Sequence, residues 1–170
     1  SDYLCLSGGV ALNCVANGKL QLEKIFKEIF IQPAAGDAGG ALGAAYAGNY
    51  LFFNQKRWIN KEGDSMKGSY LGPEYNSSQI ARLSNTFGAK YKKYNSFDEL
   101  AKKTAKLISE GNAIGWFQGR MEFGPRALGN RSIIGDARNP EMQKKLNLKI
   151  KYRESFRPFA PSVLNEDCSK

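Results

Sequence analysis

The stretch GWFQGRMEFGPRALGNRSI, Gly115 to Ile133, sets Arg120, Arg126 and Arg131 on a backbone broken by Gly119, Gly124, Pro125 and Gly129. An apolar run, Ala113 to Phe117, leads in, and Ile133-Ile134 leads out, so the pattern is a buried strand, a long turn and a second short strand. Turns are ordinarily built from Gly and Pro, with Ser, Asn or Asp beside them. Arginine is a poor turn residue, and its planar fork is suited to gripping carboxylate or phosphate. The loop therefore points to an anionic ligand. Glu122 is the only acid inside it; it could position an arginine, accept a ligand hydroxyl or simply balance charge, the last being the plainest reading. Trp116, Phe117 and Phe123 could stack a base, although aromatics beside a buried strand belong more often to a core.

The charge around this loop supports the same idea. The net charge is +9, and of the eight arginines six lie between Arg120 and Arg157, while the seventeen lysines are scattered. Scattered lysines read as solvated faces, clustered arginines as recognition, so nucleotide, nucleic acid or a phosphorylated substrate is the expected partner. A basic surface kept for solubility is the bland alternative. The chain contains no histidine, which removes the commonest general base and excludes a Ser-His-Asp or Cys-His mechanism within it. Cys5, Cys14 and Cys168 form no CxxC pair, so neither a disulfide framework nor a zinc site is indicated, and a reducing cytoplasm fits best. No segment has the length or apolarity of a membrane span, and no membrane partner is expected.

Before the loop, Tyr70 to Tyr75 reads as extended, Ser78 to Phe87 as a helix and Lys90 to Tyr94 as an edge strand. Ser96 to Glu99 is a capping box opening a helix with Leu100, Ala101, Ala105, Leu107 and Ile108 inward and Lys102, Lys103 and Lys106 outward. After the loop, Asn139-Pro140 begins a helix whose buried side is Met142, Leu146 and Ile150. Lys151-Tyr152-Arg153 closes it, and Ser162 to Leu164 forms a last strand.

The N-terminal part reads as strand, glycine turn, helix: Tyr3 to Leu6, Ser7-Gly8-Gly9, then Val10 to Leu20. Gly8 and Gly9 allow backbone to approach a ligand. Asn13 and Asn17, four apart, would share one helical face, either as ligand contacts or as ordinary surface residues. Phe26 to Ile31 is a buried strand or a helix end. Pro33 to Gly48 then places Asp37 as an N-cap before a helix faced with Gly39, Gly40, Gly43 and Ala44, which would admit close packing of another backbone or a nucleotide. Asp37 either caps, worth about 1 kcal/mol, or aims a carboxylate into a phosphate or metal site. Residues 50 to 68 lose this regularity and read as a connection. The alternation of strands and helices indicates an α/β (mixed α+β) fold.

At this point the motifs acquire a resemblance. SGGVALNCVANGKL followed by PAAGDAGGALGAA is similar to the end of the actin-like, ATPase-type half of the nodulation and cephalosporin-type O-carbamoyltransferases. GWFQGRMEFGPRALGNRSIIGDARNP followed by LNLKIKYRESFRPFAPSVL resembles the start of that family's C-terminal half, which has a YrdC-like fold. The likeness covers nearly the whole chain and is weakest over residues 50 to 112. EFGPRALGNRSI and KYRESFRPFAPS carry most of its specificity. It implies residues 1–49 as the end of the actin-like domain, 50–68 as linker and 69–170 as part of the YrdC-like domain.

The resemblance implies a two-step reaction. Carbamoyl phosphate and ATP, with Mg²⁺, make carbamoyladenylate; the carbamoyl group then moves to a hydroxyl of a sugar or secondary metabolite. It assigns Arg126, Lys151 and Arg153 to the chemistry, with Arg126 and Lys151 holding carbamoyladenylate and phosphates and Lys151-Tyr152-Arg153 matching the Lys-x-Arg signature. Arg120, Arg131, Gly8, Gly9 and Asn13 are implied in nucleotide binding. Asp37 matches a carboxylate that, with histidines, holds a divalent metal in the actin-like half, iron being one candidate. Preplaced Arg and Lys charge suits a crowded anionic phosphorus centre better than acid–base groups would. Two features qualify the match. The family's metal-binding histidines lie upstream of anything in this sequence, and the Ser and Arg positions completing the YrdC-like pocket are expected beyond Lys170. The chain is thus expected to be a fragment, inactive alone. Two other readings remain: a basic YrdC-like module binding RNA or nucleotide without transferase activity, and a non-catalytic scaffold. Against RNA, the arginines bunch in two short turns with sparse aromatic interleaving.

Overall fold

The computed structural model describes residues 1–59 and 63–168. The linker reading at residues 60–62 and the domain reading at 169–170 lie outside the described residues. The fold is mixed α/β. The chain packs as two compact units, Ser1–Ser77 with Gln118–Arg131, and Ser78–Phe117 with Ser132–Lys170.

In the first unit, β1 (Tyr3–Leu6) and β2 (Glu28–Ile31) pair in parallel, with Leu4 opposite Ile29 and Leu6 opposite Ile31. Parallel neighbours need a crossover, and the chain supplies it with a short 3₁₀ turn, Gly9–Leu12, and α1 (Cys14–Leu22). Leu4, Leu6, Ile29 and Ile31 are half-buried while Tyr3 and Phe30 are exposed. Of the two readings of Phe26 to Ile31, buried strand or helix end, the segment is a strand from Glu28, but only half-buried: a two-stranded ribbon covers one face, and alternate side chains point away from it. Ala11, Ala34 and Ala35 form the buried centre. Their small size lets turn, sheet and the start of α2 (Asp37–Ala47) come together.

Two expectations about polar residues change here. Asn13 lies before α1, where its Oδ1 accepts from Ala16 N at 3.1 Å as the N-cap. Asn17 lies inside the helix, its N–H donating to Asn13 O at 3.0 Å and its Nδ2 to Ala11 O at 2.7 Å, so both asparagine side chains bond to nearby backbone. Asp37 is the first residue of α2 and Gly36 is its N-cap, with no side-chain cap bond. Within α2 the glycines differ. A Cβ on Gly39 would collide with the Ala34 carbonyl oxygen, whereas one on Gly40 or Gly43 would meet nothing within 4 Å.

The second unit carries α3 (Ser77–Thr86), α4 (Phe97–Ser109), β3 (Ile114–Phe117), β4 (Arg131–Ile134) and α5 (Met142–Lys145), and β3 pairs with β4. Ser96 Oγ accepts from Glu99 N at 3.2 Å, the expected cap of α4. On that helix Thr104, not Ala105, shares the half-buried face with Leu100, Ala101, Leu107 and Ile108. Phe97 meets Trp116 edge-on at 6.2 Å, which gives Trp116 a packing role, while Phe117 is exposed. Lys90 to Tyr94 and Ser162 to Leu164 are not strands among the described residues. Alternation supplies no ladder partner, and in the first of these segments the Lys92 ammonium lies over the Tyr94 ring at 4.8 Å.

Asn139 Oδ1 accepts from Glu141 N at 2.9 Å and prepares α5, which begins at Met142. After Leu146 the helix widens to π pitch over Leu146–Ile150. An i→i+5 turn rotates the following side chains off the α-helical register. Met142 and Leu146 are buried as expected, but Ile150 is exposed and Asn147 takes an inward position. Among the described residues no helix is long and apolar enough to cross a membrane.

Candidate active site

The glycine–arginine loop is held by a single internal carboxylate. Glu122 is buried, and its Oε1 accepts from the backbone N–H groups of Leu128 at 2.8 Å, Asn130 at 2.7 Å and Arg131 at 3.2 Å. Burial raises its pKa, but the backbone N–H donors outweigh that and leave it below the usual carboxylate value. The near limb of the loop is pinned by the backbone. Met121 N donates to Pro73 O at 3.0 Å, Phe123 N to Ser69 O at 2.6 Å, and Gly72 N to Met121 O at 2.9 Å. The Tyr70 hydroxyl donates to Leu128 O at 2.6 Å.

Two of the three loop arginines are consumed in this scaffold. Arg131 donates through Nη1 to Gln118 O at 2.7 Å and Asn130 O at 2.9 Å, and through Nη2 to Gly119 O at 3.1 Å and Pro73 O at 3.4 Å. Arg120 Nη1 donates to Gly72 O at 3.1 Å and its Nε lies 3.7 Å from Glu74. Arg126 is different: it is exposed, and its Nη2 donates to Leu12 O at 3.1 Å.

That bond places the loop apex on the N-terminal glycine turn. Gly8 has φ +93°, a conformation that favours glycine, and its N–H donates to Ala35 O at 2.6 Å. Gly124, at φ +116°, passes so close to Ala34 that a Cβ would lie 3.0 Å from the alanine Cβ. Between these contacts lies a cleft of about 480 Å³ lined by Gly9, Leu12, Gly36, Asp37, Ala38, Gly124 and Pro125. Gly9 and Asp37 line this cleft with Gly124 and Pro125, and Arg126, next to Pro125, bonds to the lining residue Leu12. Gly8 is immediately beside it, and Asn13 serves the adjoining helix as its cap.

Lys151 and Arg153 belong to the second unit. There the fully buried Asn147 donates through Nδ2 to Ser155 O at 3.0 Å and Arg157 O at 2.8 Å, and accepts from Arg153 Nε at 2.7 Å. Arg153 also lies over the Phe159 ring at 5.1 Å. Gln143 Nε2 donates to Phe156 O and Arg157 O, and the Glu154 carboxylate is lowered by the Arg157 side chain bonded to it at 2.7 Å. Tyr152 sits at φ +49°, so the backbone reverses between exposed Lys151 and half-buried Arg153.

The cleft wall offers the Asp37 carboxylate and glycine backbone, with the Arg126 guanidinium bonded to Leu12 beside them. A metal is another matter. Among the described residues no three His, Cys, Asp or Glu side chains gather to hold one. Asp37 would be a single ligand of such a set.

Asn147 is not among the residues the sequence singles out, and Glu122 stands out there as an acid without its role as acceptor for the loop backbone. Glu122 had one signal, being the lone acid in a loop of glycines and arginines. Asn147 had one too, since it follows Leu146 where the helix turns inward, but an α-helical register puts it beside the core rather than in it.

Residues 1–46 match the family described as Carbamoyltransferase N-terminus, and residues 105–170 match Carbamoyltransferase C-terminus. The chain is 58% identical over 166 residues to an uncharacterized protein of Synechocystis sp., spanning 97% of this chain and 27% of that protein. It is 44% identical over 167 residues to Nodulation protein NolO of Bradyrhizobium diazoefficiens, spanning 98% and 30% respectively. With Nodulation protein NolNO of Sinorhizobium fredii it shares 43% identity over 167 residues, 98% of this chain and 24% of the relative. The chain therefore spans less than a third of the length of these relatives.

Proposed function

The chain belongs to the carbamoyltransferase family, and from that premise we propose that the full-length protein is an ATP-dependent O-carbamoyltransferase. Water cleaves carbamoyl phosphate to carbamate and phosphate. A carbamate oxygen attacks the α-phosphorus of ATP, pyrophosphate leaves, and carbamoyladenylate results. An acceptor hydroxyl then attacks the carbamoyl carbon, its proton passes to a base, and AMP leaves.

One observation supports the reading: Gly124 and Pro125 line the same cleft as Gly9 and Asp37, and the neighbouring Arg126 bonds to Leu12 on its wall. In this reading the Arg126 guanidinium holds the adenylate phosphate and stabilises the charge growing on departing AMP. Asp37 is the cleft carboxylate able to take the hydroxyl proton, a role that needs no histidine. Lys151 and Arg153 are assigned to the first step, Arg153 being held in place by Asn147. Arg120 and Arg131 support nucleotide binding indirectly, through the loop they brace.

The test is pyrophosphate release by the full-length protein with ATP, Mg²⁺ and labelled carbamoyl phosphate. Release that depends on carbamoyl phosphate, with label passing to water or an added sugar hydroxyl, is the expected result. Release indifferent to carbamoyl phosphate overturns the proposal.

A further inference from the structure

We propose that Glu122 is a positioning residue that sets the place of the Arg126 guanidinium at the cleft. The inference rests on the functional reading above, in that Arg126 is taken to act on the adenylate. Its own support is geometric. Met121 and Phe123, either side of Glu122, are pinned by backbone bonds to Pro73 and Ser69. Its carboxylate crosses the loop to Leu128, Asn130 and Arg131, the start of the far limb. Residues 123–127 are thereby closed into a short span whose ends are fixed by one side chain. Pro125 removes further freedom from that span, so the single Arg126 bond to Leu12 suffices to fix the apex.

The residue type follows from this role. One oxygen taking three N–H donors is a job for an anion, because hydrogen bonds to a carboxylate are roughly twice as strong as neutral ones. Glutamine keeps the acceptor atom but loses the charge, and its amide N–H₂ brings donors into a place filled with donors. Aspartate is one methylene shorter and draws the acceptor away from the far limb. The arginines cannot substitute, since they offer no acceptor.

The experiment uses the full-length protein with Glu122→Gln, Arg126→Lys and the double variant. Amide hydrogen exchange is read at Leu128, Asn130 and Arg131, with steady-state carbamoyl-phosphate-dependent pyrophosphate release measured alongside. In Glu122→Gln, exchange at those three amides should rise about tenfold while β1 and α2 stay protected. Turnover should fall about tenfold in the wild-type background, but less than about threefold in the Arg126→Lys background, since residues acting through one another are not additive. Unchanged exchange overturns the proposal. So does an equal turnover loss in both backgrounds, which would make Glu122 a general stabiliser. If the wild type shows no carbamoyl-phosphate-dependent turnover, the functional reading falls, and the exchange measurement still decides whether Glu122 orders the loop. Should Glu122→Gln fail to fold, Glu122→Asp is measured in the same way, with the same outcomes.

Discussion

Arg126 Nη2 lies 3.1 Å from the carbonyl oxygen of Leu12, a hydrogen bond between residues 114 apart in sequence. An exposed bond of this kind contributes on the order of 1 kcal/mol. A loop with such a guanidinium at its apex therefore owes little of its stability to that side chain. Arg126→Ala is expected to change the urea midpoint slightly while lowering carbamoyl-phosphate-dependent turnover by roughly 10²–10³-fold, the range for losing one transition-state donor. A large stability loss with turnover retained would make Arg126 a structural latch.

Asp37 is exposed on the first turn of α2 and lines the cleft. Its charge there is worth about 0.3–1 kcal/mol against the helix dipole, so Asp37→Asn should fold. If Asp37 accepts the hydroxyl proton, a rapid burst of pyrophosphate should persist in Asp37→Asn while steady-state transfer slows by roughly 10²-fold. A burst lost together with the steady state would place Asp37 in adenylate formation, or leave it a helix residue only.

The pH dependence separates two carboxylates. Asp136 is held down to about 2 by the Arg138 side chain, whose Nε and Nη2 reach its two oxygens at 2.9 and 2.8 Å, aided by the Arg138 N–H. Glu122 is also lowered, by the backbone donors of its loop. A carboxylate with a depressed folded pKa contributes stability that is fully present above its unfolded pKa and lost as pH falls through the folded value. The urea midpoint should thus decline with acidification below the usual carboxylate range. Glu122→Gln should flatten part of that decline, and Arg138→Ala should move the Asp136 titration, followed by NMR, up towards ordinary values. An Asp136 that titrates unchanged in Arg138→Ala would refute the pairing.

Much of this was legible in the chain. Strands β1 and β3, the Ser96 cap and the Met142–Leu146 stripe follow from periodicity and capping chemistry, which are local. The composite cleft is not local. Nothing in the spacing of Gly124 and Ala34, or of Arg126 and Leu12, announces that they touch, because the contact depends on the loop folding back onto a turn far away in sequence. The division of labour among the arginines was hidden for the same reason. Arg120 reaches Gly72 O and Arg131 reaches Gln118 O, Gly119 O and Pro73 O, carbonyl groups that come within reach only once the chain has folded. Ile150 was misread because a π turn is not encoded by an apolar period.

The two adjacent glycines of α2 give opposite predictions. Gly39 faces the Ala34 backbone, where no flexible side chain can yield, whereas Gly40 has open space. Gly39→Ala should destabilise by about 1–3 kcal/mol through overpacking. Gly40→Ala should stabilise by roughly 0.5–1 kcal/mol, the usual gain in a helix interior. Equilibrium urea unfolding of the two variants checks this; equal effects would mean that α2 does not pack on Ala34 as described.

Asn147 is the second unit's counterpart of Glu122. It is fully buried, and its amide serves three partners from the segment bearing the basic residues: Ser155 O, Arg157 O and Arg153 Nε. Asn147→Ala removes the side-chain partner of Ser155 O and of the Arg153 Nε–H and one of the two donors to Arg157 O, at about 0.5–1.5 kcal/mol for each hydrogen bond lost. The loss should be uneven. Gln143 still reaches Phe156 O and Arg157 O, so that segment keeps a side-chain tether, while Arg153 keeps its backbone N–H bond to Asn147 O and the Phe159 ring but loses the bond at its Nε. Limited proteolysis should accordingly cut near Arg153 before it cuts near Arg157, and KM for ATP should rise more than kcat falls if Arg153 serves the adenylation step. Cleavage at both sites with equal ease would show that the amide merely fills space.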